Sequence, residues 1–222
     1  MNPTPTLPSP RVLLTGFSPF GGEIINPSWQ AVSALDGAEI AGHRIIARRL
    51  PVEFGTSLSS LHDSILEISP SLVLCVGQAG GRAQLSLERV AINVDDARIP
   101  DNVGIRPIDV PVVNGGPAAY FATLPIKAML KALHAAGIPA QISQTAGTYV
   151  CNHVFYGLMH ALERTPLARG GFLHVPFTPA QAARHVDAAS LPIDTVIAAL
   201  RILLQTALTT GADIRLAAGS EH

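Results

Sequence analysis

The stretch Ser143-Gln-Thr-Ala-Gly-Thr-Tyr-Val-Cys-Asn-His-Val-Phe-Tyr-Gly157 places Cys151 just past a small-residue turn, at the start of an apolar helical pattern. The N–H groups of a first helical turn have no intrahelical partners, and the positive end of the helix dipole favours a negative sulfur. The thiolate is the nucleophilic form, so this position suits covalent catalysis. A free cysteine is also a small hydrophobe that cores accept readily, and position alone leaves both roles open. Cys75 is the contrast: it lies within Leu72-Val-Leu-Cys-Val76, has no polar neighbour and reads as core.

A thiol nucleophile needs a base, and the chain has eight histidines. His153 is nearest in sequence, but residues i and i+2 of a helix point to different faces. His160 sits at the far end of the same helical pattern, His62 and His134 lie within other helices, His43 begins a strand, His185 falls in a polar segment and His222 is terminal. His174 ends the apolar run Gly171-Phe-Leu-His-Val175 ahead of Pro176, where it could reach a sulfur from the end of a strand. A hydrogen-bonded structural histidine is the competing role. A base histidine is usually oriented by a third group. Glu88, Asp95, Asp96 and Asp101 are the candidates. Glu88 stands among apolar residues, where an unpaired carboxylate is costly; either Arg89 pairs with it or it has a functional partner. Spacing leaves Glu88 and Asp95 both open. No His, Cys or carboxylate spacing points to a metal, the Asp95-Asp96 pair included.

The elements that must hold these residues alternate. Strands are predicted at Arg11–Thr15, His43–Leu50, Leu72–Val76, Ala140–Ser143 and Gly171–Val175. Helices are predicted from Asn26, with Pro27 near the first turn, and over Phe54–Ile68, Leu124–Ala136, Tyr149–Glu163, Gln181–Ala189 and Ile193–Thr210. The segment Gly77–Gly116, rich in Gly, Pro, Asn and Asp, shows only short extended pieces such as Val90–Val94, and a stretch that long is usually functional. This alternation gives an α/β layered domain with a mostly parallel sheet. Sites in such sheets collect beyond the carboxyl ends of the strands. The loops Gly16–Gly22, Gly77–Arg82, Thr145–Val150 and His174–Pro179 could therefore share one rim. The two glycine loops match neither a P-loop nor a GxGxxG fingerprint and read as tight turns. Phe17 and Phe20 in the first loop could wall a small apolar pocket.

Composition bounds the rest. At 222 residues, 48% apolar and 14% charged, the chain fits one domain with a sizeable core and a surface poor in charge, which leaves room for subunit contacts. A net charge of −1 with no basic run argues against nucleic acid. No apolar stretch approaches the ~20 residues that span a bilayer. Residues 1–10 read as a flexible Pro-rich lead-in rather than a signal peptide, with residues 11–222 as a single domain. Two cysteines without a secretory signal are expected to be free thiols in a reducing cytoplasm.

Four motifs together resemble the pyroglutamyl peptidase type I (pyrrolidone-carboxylate peptidase) family. They are Val12–Glu23 with Asn26-Pro-Ser-Trp29, Val76–Arg82 leading into Ser86–Asn102, Ser143–Tyr156, and Gly171-Phe-Leu-His-Val-Pro-Phe177. The resemblance runs from Val12 to about Gln181. It implies a three-layer α/β/α sandwich with a mostly parallel, mixed central sheet. It also implies a cytoplasmic thiol protease without a cofactor, commonly a homotetramer, that removes an N-terminal pyroglutamyl residue from peptides. By resemblance Cys151 is the nucleophile, His174 the base and Glu88 the third member. Phe17, Phe20, Gln78, Ile99 and Val150 fall at pocket positions, and Arg98 matches an arginine near the catalytic cysteine. Gln144 departs from the asparagine expected there, and the region after Asn102 is less family-like. The implied substrate is a neutral lactam with no α-ammonium to pair. An uncharged pocket that satisfies its N–H and C=O would reject open-chain glutamate, whose charges would be desolvated without partners. The rival reading is a non-proteolytic ligand-binding or phosphorylase-like protein on a similar scaffold.

Overall fold

The computed structural model describes residues 9–165 and 168–219. The lead-in expected over residues 1–10 lies almost wholly outside them, as does His222. In chain order the elements are β1 (Arg11–Phe17), α1 (Pro27–Ser33), β2 (Glu39–Ile40), β3 (His43–Leu50), α2 (Thr56–Ile68), β4 (Leu72–Gln78), β5 (Leu85–Glu88), β6 (Val90–Ile92) and β7 (Ala119–Phe121). They continue with α3 (Ile126–Ala135), β8 (Ala140–Ser143), α4 (Val150–Leu162), β9 (Arg169–Val175), α5 (Pro179–Ala182) and α6 (Ile193–Thr209).

Seven strands form one sheet in the order β2-β3-β1-β4-β9-β5-β8, and β6-β7 make a separate ribbon. Burial follows position. β4 at the centre is buried at every residue and its sequence is almost wholly apolar, while β8 at the edge alternates buried and half-buried. Alternate side chains feed two cores. Val12, Leu14, Leu74, Val76, Leu173 and Val175 join the helices α1, α3 and α6 on one face. Leu13, Phe17, Val73, Cys75 and Phe172 join α2 and α4 on the other. This is the expected three-layer α/β/α arrangement with a mixed sheet. Among the described residues no helix is long and apolar enough to cross a membrane.

Three features differ from the sequence reading. First, Leu85–Glu88 lies in the interior of the main sheet, where only loosely ordered chain is predicted; Ser86 and Glu88 break its apolar run because they face the site. Second, β5 runs antiparallel to β9 and β8 parallel to β5. Three of the four loops thus leave parallel strands at one rim, and the fourth comes from a strand running the other way. Third, the helix predicted over Gln181–Ala189 is the short α5 followed by turns. That stretch lacks an apolar stripe: Val186 is 95% exposed and Asp187 turns left-handed. The chain is then drawn back by the Leu191 amide, which donates to Phe177 O.

Helix α1, whose cap Asn26 lines the pocket beside Cys151, is set down by its own first turn. Asn26 caps α1, accepting from the Ser28 amide at 3.0 Å, and Pro27 follows where no amide is needed. The Ser28 hydroxyl in turn accepts from the Phe17 amide at 3.0 Å, fixing the loop that carries Phe17 and Phe20. β1 meets this turn at Gly16, where a Cβ would stand 2.8 Å from backbone atoms of Ser28 and Trp29. Backbone cannot rotate aside, so Gly16→Ala should cost about 1–3 kcal/mol and lower Tm by several degrees in a thermal melt. An unchanged Tm would mean that α1 is not seated on β1 in this way.

Candidate active site

β5 and β9 bring the first two candidates together. Ser86 pairs with His174 and Glu88 with Phe172 in the antiparallel register, so Glu88 and His174 lie diagonally on one face. Glu88 Oε1 lies 2.7 Å from His174 Nδ1, with Glu88 fully buried and His174 3% exposed. Nδ1 therefore donates to the carboxylate and Nε2 is left to act as a base. Asp95, the other open choice, is taken elsewhere. Its Oδ2 lies 2.7 Å from His153 Nδ1, and His153 Nε2 accepts from the Gly55 amide at 3.0 Å. Both nitrogens of His153 are thus occupied.

Cys151 is the second residue of α4, on the sheet face that carries His174. Its Sγ lies over Gly77, the register partner of His174: a Cβ on Gly77 would stand 2.9 Å from Sγ and 2.8 Å from Phe172 Cζ. The absent side chain makes room for the sulfur beside the sheet. No hydrogen bond joins Sγ to the imidazole in this structure. The next residue anchors the helix start. Asn152, fully buried, accepts from the Ile92 amide and donates to Ile92 O and Val94 O. The amides of Val150, Cys151 and Asn152 have no intrahelical acceptor.

Electrostatics here run against the expectation of a resting thiolate. Although part of Cys151 opens to the pocket, burial pushes its thiol up to about 12; the Glu88 charge adds to this and Arg82 opposes it. Burial beside β4 opposes the favourable helix end. Burial also lowers the His174 value, with Glu88 pulling against it. The resting pair is therefore a neutral thiol and a neutral imidazole. Cys75, fully buried, is also pushed to about 12 by burial and lies in the core as read from the sequence.

Beside Cys151 a small pocket is lined by Phe17, Phe20, Asn26, Val52, Gln78, Tyr149 and Val150. Phe17, Phe20, Gln78 and Val150 are thus gathered where the sequence places them. Ile99 and Arg98 are not among the lining residues. Ile99 is 45% exposed and Arg98 is exposed, on a segment that crosses the start of α4. There the Asp96 amide donates to Thr148 O, and the Tyr149 hydroxyl donates to Pro100 O. Beyond them Asp101 accepts from the Phe54, Val103 and Ile105 amides, and Asn102 donates to Pro19 O. The lip after Asn102 is therefore tied to both pocket walls.

Arg82 and Tyr149 join the site without a distinct signal in the sequence. Arg82 Nη1 lies 2.7 Å from Glu88 Oε1 and its Nη2 donates to Thr145 O, joining the carboxylate to the loop before Cys151. Arg89 does not pair with Glu88; it donates to Ala218 O. Alternation along a strand turns Arg89 away from Glu88, a signal hidden while β5 reads as irregular. Tyr149 stacks edge-on against Phe54 and lies 6.2 Å from Phe20 between ring centroids, closing the wall. Gly80 forms no open anion cradle, since a Cβ there would stand 2.2 Å from Phe177 Cζ. Among the described residues no three His, Cys, Asp or Glu side chains are grouped as metal donors would be.

Residues 10–210 match the model of the family described as pyroglutamyl peptidase. The chain is 59% identical to the pyrrolidone-carboxylate peptidase of Escherichia fergusonii over 95% of its length and 99% of that protein. It is 58% identical to pyrrolidone-carboxylate peptidase 1 of Ralstonia nicotianae, over 96% of its length and all of that protein. Its fold superimposes on the crystal structure of pyroglutamyl peptidase I from Bacillus amyloliquefaciens with a TM-score of 0.91 at 48% identity, covering 94% of this chain and 99% of the other.

The lowered His174 value has a kinetic consequence. A base is active when unprotonated, so the acid limb of kcat/KM against pH should lie below the ordinary histidine value of about 6.5. A limb above that value would contradict the assignment of a buried, neutral His174.

Proposed function

Since the chain belongs to the pyroglutamyl peptidase family of cysteine peptidases, we propose that Cys151, His174 and Glu88 carry its reaction and that the pocket beside Cys151 takes the pyroglutamyl ring. The juxtaposition that carries this reading is a pocket walled by Phe17, Phe20, Tyr149 and Val150, holding the Gln78 amide and opening on Cys151. Apolar walls with two neutral amides, Asn26 and Gln78, suit a lactam and offer no charged partner to an α-ammonium or a γ-carboxylate.

In the proposed mechanism Sγ attacks the pyroglutamyl carbonyl carbon as the thiol proton passes to His174 Nε2. The sulfur–carbon bond forms and the carbonyl oxygen takes up the negative charge. The Cys151 amide, free at the helix start, donates to that oxygen. Arg98 is the proposed second donor, its segment being tied to Thr148. Collapse breaks the carbon–nitrogen bond, and the leaving amine takes the proton from Nε2. Water then attacks the thioester with His174 again as base, releasing 5-oxoproline and restoring the thiol. Glu88 orients the imidazole and offsets its transient positive charge, and Arg82 holds Glu88 in place.

Residues 11–222 form one peptidase domain in this proposal. A cytoplasmic homo-oligomer, a tetramer by family resemblance, completes it. The exposed Val103, Ile105, Ile108 and Val110 along one segment support subunit contact.

Hydrolysis of a pyroglutamyl–amide reporter tests the assignment. Cys151→Ser should lose on the order of 10⁴-fold or more in kcat. Glu88→Gln should lose about 10²-fold or more, through kcat rather than KM, because it disturbs the imidazole and not the pocket. Equal rates for wild type and Cys151→Ser would end the mechanism.

A further inference from the structure

The Gln78 amide is a polar group of the pocket whose two ends would offer a lactam opposite things, and its orientation is fixed from outside. The chain of constraints begins at a backbone group. The Thr178 amide can only donate, and it donates to Gln181 Oε1 at 3.1 Å, as does the Thr178 hydroxyl at 3.2 Å. Gln181 Nε2 must then lie on the opposite side. There it donates to Gln78 Oε1 at 3.1 Å and to Glu23 Oε2 at 3.2 Å, with Ile25 O at 3.4 Å. A carboxylate and a carbonyl only accept. Reversing Gln181 would set its oxygen against both and its NH₂ against the Thr178 amide. Gln181 is fully buried, so water cannot repair such a reversal. Glu23 is itself held by Arg184 and by His185, whose Nε2 lies 2.9 Å from Oε1. Gln78 lines the pocket, and with its Oε1 occupied its NH₂ group is the end left over, with no hydrogen-bond partner among the described residues.

We infer that Gln181 is a specificity-determining positioning residue: by fixing the Gln78 amide it makes the pocket present a donor, and so selects a ring that carries a carbonyl. Gln181 lies outside the pocket lining and acts through Gln78. The inference rests on the pocket reading above. It adds that the capping box of α5 sets which end of that amide the substrate meets. A ring with a carbonyl and no N–H would still be recognised by this contact; a ring without a carbonyl would not.

The test measures kcat and KM on the pyroglutamyl–amide reporter, and Ki for 2-pyrrolidone and cyclopentanone, in wild type, Gln181→Met, Gln78→Met and the double variant. Gln181→Met should raise KM and both Ki values about tenfold, with kcat within about threefold of wild type. The double variant should be no worse than Gln78→Met alone, since both changes remove one contact. A purely structural role would lower Tm without this split. Wild-type KM and Ki in Gln181→Met, or additive losses in the double variant, would overturn the inference. Should Gln181→Met not fold, Gln78→Glu decides: it keeps an acceptor for Gln181 and replaces the pocket donor with an acceptor. It should fold and bind 2-pyrrolidone at least about tenfold more weakly; wild-type affinity would show that the pocket needs an acceptor, which overturns the inference. Failure of the wild type to hydrolyse the reporter would instead sink the pocket reading itself.

Discussion

A carboxylate with no exposed surface sits at the centre of this protein, and the site depends on how it is paired. Taking Glu88 out of water costs several kcal/mol unless donors repay it. Two converge on Oε1, His174 Nδ1 and Arg82 Nη1, each at 2.7 Å. Each partner is thereby fixed to something else. His174 is held in one tautomer on β9, and Arg82 reaches on to Thr145 O in the loop that leads to Cys151. The sheet is arranged to permit this. β5 enters antiparallel beside β9, which sets Glu88 diagonal to His174 on the face that α4 covers.

The same burial decides the state of the nucleophile. A helix start favours a thiolate, but Sγ lies in the hollow over Gly77 with the Glu88 charge nearby, and the thiol is pushed up to about 12. The imidazole is pushed the other way by its own burial. In the proposed mechanism two neutral groups therefore wait for a substrate, and the charge separation of the first step arises only as the carbonyl is attacked. The helix-start amides and the Glu88–His174 pair then act on charge that was absent at rest, which is where catalytic stabilisation is effective.

Much of this was legible from the chain. The apolar runs of β1, β4 and β9, the Asn26 cap of α1 and the small-residue turn before α4 carry strong local signals, and the Cys151 and His174 motifs stand at their ends. Glu88 against Asp95 was not decidable from spacing, because each is a buried acid that ends up on a histidine: Glu88 on His174 and Asp95 on His153. The strand at Leu85–Glu88 was hidden by its alternating polar residues, and with it the turn of Arg89 away from the site and the place of Arg82. The Gln181 network was equally invisible. Its distance from Gln78 along the chain is large, and the segment Gln181–Ala189 reads as a longer helix than the fold allows.

The central claim is that burial keeps His174 neutral while Glu88 holds its proton on Nδ1, leaving Nε2 free for the thiol. Nitrogen NMR of the His174 ring in the resting protein at neutral pH tests it most directly. The expected result is a neutral imidazole protonated at Nδ1. A doubly protonated ring, marking a preformed thiolate–imidazolium pair, or a proton on Nε2 would contradict it.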